Sequence, residues 1–232
     1  MKIAIMQPYF LPYIGYFQLI NLVDAFIVYD NIEYTKRGWI NRNRFLLNKK
    51  DTYITLPLKN ASDYLMIGER YISETFDKKK ILNQITNAYR KAPFFDKIYL
   101  VIEDIINYNN SNLFEFIYNS IVVICTYLDI RTKIVISSTI EINQELKSSQ
   151  KVLAICKILN ADTYINPIGG TGLYSKEEFK KNVINLFFIK TNKIIYKQFD
   201  NEFIPWLSIL DVMMFNSKDD IKKIINNEFS LI

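Results

Sequence analysis

Histidine is missing from all 232 residues. Its absence removes Ser–His–Asp and Cys–His catalytic arrangements and any histidine-ligated metal site. Cysteine is nearly missing as well. Cys125 and Cys156 are the only two, and no Cys-x-x-Cys pair exists. Both lie in apolar, helix-patterned stretches, the setting of small buried hydrophobes rather than of nucleophiles. No acidic cluster stands out, so a carboxylate-held Mg²⁺ site has no motif behind it. Apolar runs are short. The densest, around Ile121–Cys125, is broken by Asn119 and Asp129, well below the roughly 20 residues of a membrane helix. The start, Met1-Lys2-Ile3-Ala4-Ile5, runs directly into a strand pattern with no small-residue cleavage site. A secretory leader is therefore not expected, and a cytoplasmic location is.

What the chain does have is apolar bulk. Half of it is hydrophobic and 15% is aromatic, enough for a sizeable core and incompatible with disorder. The length suits one domain over 1–232. The formal net charge is +5, carried mostly by lysine. A modest positive field of this kind steers an anionic ligand such as a nucleotide. The scarcity of arginine argues against a nucleic-acid-binding module. The Lys78–Lys80 run reads as a solvated helix end.

The pattern along the chain is α/β, a Rossmann-like, mostly parallel sheet with extra helices in the middle and at the C-terminus. Lys2–Met6 is a short buried strand ended by Gln7-Pro8. Tyr13–Val23 is a helix with Pro12 in its first turn, and Ala25–Tyr29 is a second strand. The natural geometry is a right-handed parallel crossover. Trp39–Leu47 and Thr52–Leu58 pair as a hairpin about Asn48–Asp51. A helical insertion fills roughly 77–128, with a break at Ala92-Pro93. Lys133–Ile136, Thr163–Asn166, Leu186–Lys190 and Ile194–Gln198 read as strands, and Ser149–Leu159 and Pro205–Phe215 as helices. A polar helix follows Ser217.

Polar groups gather where the first two strands end, which is where open α/β sheets bind ligands. Gln7 leaves the first strand with an amide that can donate and accept; bracing a neighbouring loop is the competing role. Gly15, within Tyr13-Ile14-Gly15-Tyr16, sits early in a helix, where it is unfavourable by about 1 kcal/mol against alanine. It permits a ligand or a strand to approach. The helix start offers N–H groups and positive potential to phosphate. Asp30 ends the second strand and can act as a general base or cap a turn. Lys36, Arg37, Arg42 and Arg44 surround Trp39, Asn41 and Asn43. Guanidinium forks suit phosphate. If Trp39–Phe45 is a strand, Trp39, Asn41 and Asn43 share one face and Arg42 and Arg44 the other. Asn166-Pro-Ile-Gly169-Gly170 follows a strand and permits a tight turn with exposed N–H groups. Ser208 and Asp211 are three apart in an apolar helix and share a face. A buried carboxylate there must be paired, either structurally or within a site.

Gln7-Pro-Tyr-Phe-Leu-Pro-Tyr-Ile-Gly15-Tyr16-Phe, Asp30 and Trp39-Ile-Asn-Arg-Asn43 closely resemble the WbqC-like family. So do Ala88-Tyr-Arg-Lys-Ala-Pro-Phe-Phe, Tyr164-Ile-Asn-Pro with Gly169, Gly170 and Tyr174, and Pro205-Trp-Leu-Ser-Ile-Leu-Asp211. The likeness runs over essentially the whole chain. It implies a bacterial role in O-antigen, lipopolysaccharide or other surface-glycan synthesis, as an enzyme that acylates or aminoacylates the amine of a nucleotide-linked amino sugar. A non-catalytic nucleotide-sugar binder in a glycan-assembly complex is the alternative. The acyl donor is open: ATP-generated adenylate, thioester or charged tRNA. The layout of Tyr13-x-Gly15-Tyr16 also resembles the His-x-Gly-His of nucleotidylyltransferases and pantoate–β-alanine ligase, which cradles ATP phosphates. Here tyrosines replace both histidines. They donate to phosphate but carry no positive charge, leaving charge neutralisation to Lys36, Arg37 or Arg42. On this reading Gln7, Tyr13, Gly15, Tyr16, Trp39, Asn41, Asn43, Asn166, Gly169, Gly170, Tyr174 and Ser208 bind substrate, and Asp30 or Asp211 handles the amine.

Overall fold

The computed structural model describes every residue except Gln144 and Asn201. Its central strands are apolar on both faces because each face meets a separate core. In β1 (Lys2–Met6), Ala4 enters one core while Ile3 and Ile5 enter the other. In β2 (Ala25–Val28), Phe26 and Val28 alternate with Ala25 and Ile27 in the same way. The helix α1 (Ile14–Leu22) joins them, and they pair in parallel from Ile3↔Ala25 to Met6↔Val28.

Apart from a separate hairpin, β3 (Arg42–Leu47) and β4 (Lys50–Thr55), the other strands are β5 (Lys133–Ile136), β6 (Thr163–Pro167), β7 (Asn185–Thr191) and β8 (Phe229–Leu231). The sheet order is β5-β2-β1-β6-β7-β8, with only β8 antiparallel. The chain works outward from β1 through β2 to β5, then returns to the other side of β1 for β6 and β7. The reversal lies between β1 and β6, so the switch point is at Met6–Gln7 and Pro167. A doubly wound sheet opens its ligand crevice there. On one side α5 (Ser148–Ile158) and α6 (Lys176–Lys181) cover the core of Ile3, Ile5, Tyr164 and Phe179. The opposite core is larger. It takes in α1, α2 (Lys78–Tyr89), α3 (Phe95–Asn107), α4 (Leu113–Tyr127), α7 (Ile209–Phe215) and α8 (Lys218–Asn227). The expected helical insertion is α2–α4. Among the described residues no helix is long and apolar enough to cross a membrane.

Several expected boundaries move. The first helix starts at Ile14 with Tyr13 as its N-cap, so Pro12 precedes it rather than filling its first turn. The hairpin is β3 (Arg42–Leu47) and β4 (Lys50–Thr55). Asn48 and Lys49 both have positive φ, 52° and 63°, the two-residue turn whose twist matches the strands. Residues 194–198 are not a strand. Their polar groups turn instead to the side chain of Asp211 and to Ile204. The last helix before the tail begins at Ile209, not Pro205, because Ser208 caps it by accepting from Leu210 N at 3.0 Å. The sheet edge is taken by β8. It is held in place by Gln18, which donates to Ile224 O and Glu228 O at the end of α8.

Candidate functional site

The loop from Gln7 to Tyr13 is fixed by the hairpin. Phe10 N donates to Ile40 O at 3.0 Å, and the buried Asn43 donates through Nδ2 to Phe10 O at 3.1 Å. Pro12 O accepts from Ile209 N at 2.9 Å, tying the same loop to α7. Tyr16 is buried, and its hydroxyl donates to Gln7 O at 3.0 Å. Burial pushes that hydroxyl well above its ordinary pKa, and burial raises Tyr13 to about 12. Both are therefore neutral donors near pH 7. The side-chain amide of Gln7 makes no hydrogen bond among the described residues. Gly15 is required by a strand. A Cβ there would lie 2.5 Å from Thr191 Oγ1, at the end of β7.

Next to this loop, arginines and aromatics interleave on the outer face of the hairpin. The Arg42 guanidinium lies 5.0 Å from the Tyr53 ring centroid and Arg44 5.7 Å from that of Trp39, while Trp39 and Tyr53 stack at 6.3 Å. Trp39 precedes β3, so strand alternation does not govern it. It joins the arginine face instead of the Asn41 and Asn43 face expected for it. Arg42 donates to Gly38 O and Arg37 O and so closes its own loop. Lys36 pairs with Asp63 on the surface at 2.6 Å. Asn41 links Tyr34 to Leu56 O. Arg44 pairs with Asp51 at 2.8 Å and reaches Trp206 O at 3.3 Å, but its buried Nε has no partner.

These elements enclose a cavity of about 420 Å³ over the carboxyl ends of β1, β6 and β7. Met6, Tyr9, Tyr13, Gly15, Tyr16 and Leu19 line one side. Trp39, Asn43, Arg44, Pro167, Lys190 and Trp206 complete it. Its walls carry two cations, Arg44 and Lys190, and no carboxylate. A second cavity of about 790 Å³ shares Tyr13, Lys190, Thr191 and Trp206 with the first.

Both candidate acids lie off these walls. Asp30 Oδ1 accepts from Ser137 Oγ at 3.0 Å and Ser138 N at 2.9 Å, which ties the ends of β2 and β5 together. Beside it Lys151 is buried, 5.5 Å from the Tyr29 ring centroid. It donates to Asn31 O and Oδ1 at 3.3 Å, and burial lowers its pKa. Asp211 is fully buried and accepts from Tyr89 (2.8 Å), Tyr196 (2.6 Å) and Gln198 (2.7 Å). Burial raises its carboxyl above the ordinary 3.8, and the three donors pull it back. Ser208 is also fully buried.

The glycine turn works differently from expectation. No glycine has positive φ, so the turn does not need glycine's conformational freedom. Gly170 is needed for space, since a Cβ would lie 1.8 Å from Asn166 Nδ2, while Gly169 faces nothing within 4 Å. Tyr174 packs edge-on against Tyr164 at 5.5 Å in the core under α5 and α6, and Tyr164 donates to Asn166 Oδ1 at 3.2 Å.

Residues 7–223 match the WbqC-like protein family. The chain belongs to that family. It is 30% identical over 218 residues to the uncharacterized protein Rv1507c of Mycobacterium tuberculosis strain H37Rv, covering 93% of each chain. No solved structure matches at a significant level.

In this WbqC-like chain the switch-point cavity gathers Tyr13, Gly15, Tyr16, Trp39 and Asn43 of the expected residues. Asp30, Lys36, Arg37, Asn41, Arg42, Asn166, Gly169, Gly170, Tyr174, Ser208 and Asp211 are not on its walls, and neither is Gln7. The cavity adds Tyr9, Arg44, Lys190 and Trp206. Arg44 lies in the basic stretch and could have been chosen from it. Lys190 carries no signal beyond its place at the end of a strand. Among the described residues no group of acids and cysteines is arranged to hold a metal ion. Burial raises both thiols to about 12.

Proposed function

We propose that this WbqC-like protein binds a nucleotide-linked amino sugar at the switch point and acylates its amine, as a step in bacterial surface-glycan synthesis. The supporting observation is the cavity itself: an aromatic-lined crevice at the carboxyl ends of β1, β6 and β7, with Arg44 and Lys190 on its walls. Rings of Tyr9, Trp39 and Trp206 offer faces to a base or a pyranose. The guanidinium of Arg44 and the ammonium of Lys190, both on its walls, suit phosphate. This moves charge neutralisation away from Lys36, Arg37 and Arg42, whose contacts serve the surface or their own loop. Tyr16 acts by fixing the Gln7 loop, and Asp211 by fixing structure. An activated donor, whether ATP-derived adenylate, thioester or charged tRNA, would supply the acyl group: the deprotonated amine forms the new amide bond, the donor's bond to AMP, thiol or tRNA breaks, and the proton goes to solvent.

A non-catalytic binder is the second reading. The observation behind it is that the switch-point cavity has no carboxylate and no thiol on its walls.

Thermal shift against UDP- and dTDP-linked amino sugars tests the ligand class. Arg44→Ala should abolish the shift while leaving the unliganded melting temperature within a few degrees. Mass spectrometry of the sugar nucleotide, with each donor class supplied, separates the two readings. A mass gain on the amine supports transfer, and stabilisation without product across all donors supports the binder. Absence of stabilisation by any sugar nucleotide rejects both.

A further inference from the structure

The larger cavity has a chemistry of its own. It is lined by a box of rings, Tyr13, Tyr196, Phe203 and Trp206, and by Lys190, Lys193 and Glu202. Glu202 is the sole carboxylate among the residues lining either cavity. It makes no hydrogen bond or ion pair among the described residues, and it is exposed. Most other acidic groups near the site are already spent. Asp30 binds the β5 end, Asp51 binds Arg44, and Asp211 has three donors.

The wall between the cavities is Tyr13 against Trp206, with ring centroids 5.2 Å apart. Trp206 has a left-handed backbone, φ 62°, and is 55% exposed. Its carbonyl is held by Arg44, and the following Ser208 N donates to Arg44 O at 2.9 Å. The segment leading to it is held from below. Tyr196 and Gln198 donate to the buried Asp211, and Gln198 also bonds both ways with Ile204. Glu202 lies between Gln198 and Ile204 in a loop whose two ends are thus pinned.

We infer that the larger cavity is the subsite for a ligand ammonium group, with Glu202 as its ionic partner and the surrounding rings as its aromatic wall. An ammonium group is attracted both to a carboxylate and to the faces of tyrosine and tryptophan. Lys190 lines both cavities and Arg44 the smaller one, so a ligand phosphate held between these two cations would engage Lys190 and leave the ammonium of the same ligand to Glu202 and the rings. This rests on the amino-sugar reading above and sharpens it. Glu202 selects a free amine over a hydroxyl or an acetylated nitrogen, and it binds the group to be acylated.

Calorimetry on the full chain with UDP-glucosamine, UDP-glucose and UDP-N-acetylglucosamine tests this, repeated with the dTDP-linked series to cover base preference. Wild type should bind the free-amine sugar about tenfold more tightly than its hydroxyl counterpart, the value of one charge-assisted contact. Glu202→Gln should bring the two within about twofold and leave hydroxyl-sugar affinity unchanged. Exposed Glu202 carries no folding role, so the melting temperature should not move. Trp206→Ala, as a second variant, should weaken both sugars by opening the shared wall. A Glu202→Gln protein that keeps the full amine preference overturns the assignment while the sugar-nucleotide reading stands, as does a wild type with no preference. If no sugar nucleotide binds wild type, the parent reading falls and takes this one with it.

Discussion

Asp211 and Glu202 flank the same segment of chain in opposite situations. Asp211 is fully buried, with Tyr89, Tyr196 and Gln198 all donating to it. Glu202 is exposed in a cavity wall and has no partner among the described residues. A buried carboxylate left unpaired is very costly, so a fold that retains one must surround it with donors. A solvated carboxylate carries no such obligation and is free to meet a ligand. The difference separates acids that hold the protein together from acids that can act on something else. The basic groups differ in the same way: Arg42 closes its own loop, whereas Arg44 lines the switch-point cavity.

Removing the buried member should produce the largest effect. Asp211→Ala leaves two tyrosine hydroxyls and a glutamine amide without their acceptor. Leaving buried donors unsatisfied costs about 1–3 kcal/mol for each, several kcal/mol across the three. For a chain of this size that lowers Tm by roughly 10 °C. Urea denaturation should show it directly. Asp211→Asn, which keeps an acceptor oxygen, should lose less. A variant of Asp211 that kept parental stability and lost ligand binding would erase the contrast with Glu202.

Gly15 tests the claim that a strand, not a ligand, demands glycine at the helix start. Gly15→Ala forces a Cβ to within 2.5 Å of Thr191 Oγ1, which itself donates to Gln18 at 2.7 Å. Overpacking of this kind should cost about 1–3 kcal/mol. In a Thr191→Ala background the obstructing oxygen is gone. There Gly15→Ala should become neutral or stabilising by up to about 1 kcal/mol, the helix preference for alanine. A double-mutant cycle by thermal denaturation reads the change of sign. If the penalty persists without Thr191 Oγ1, close approach of β7 is not why glycine is there.

Much of this arrangement is legible in the sequence, and the parts that are not have a common cause. The β1–α1–β2 unit reads to within a residue or two, because strands buried on both faces produce short unbroken apolar runs. The three middle helices follow from the helical pattern after Asp77, the Ala92-Pro93 break and the polar interruption at Tyr108–Asn112. What fails is structure set by distant side chains. Ile194-Ile195-Tyr196-Lys197-Gln198 looks like a strand, yet Tyr196 and Gln198 bond to Asp211. The edge strand Phe229–Leu231 is three residues long, and Gln18, more than 200 positions away, fixes its entry. The hairpin turn uses Asn48-Lys49 rather than a glycine, so its register carries no motif. For the site, the aromatic loop points to the right end of the sheet. Which acid is spent and which is free depends on burial, and residue identity alone does not show it.

Asp129 supplies the intermediate case, an exposed carboxylate that nonetheless has partners. It follows α4 with a left-handed backbone, φ 57°, and pairs with Lys222 at 2.5 Å and Lys218 at 2.9 Å on α8. Hydrogen bonds from Lys222 and then Lys218 hold its carboxyl down to about 2, against an ordinary 3.8. A native value below the unfolded one means that the ionised form stabilises the fold. That contribution is complete above the unfolded value and is lost as pH falls from 3.8 toward about 2. Asn tolerates the left-handed backbone, so Asp129→Asn removes the charge with little strain. The stability gap between the two proteins should be constant near neutral pH and close through the acid window. High salt should shrink it as well, because the pair is solvent-exposed. Chemical denaturation across pH at two ionic strengths checks both. A gap that grew as pH fell would reverse the sign and show that the Asp129 pairing does not act through its charge.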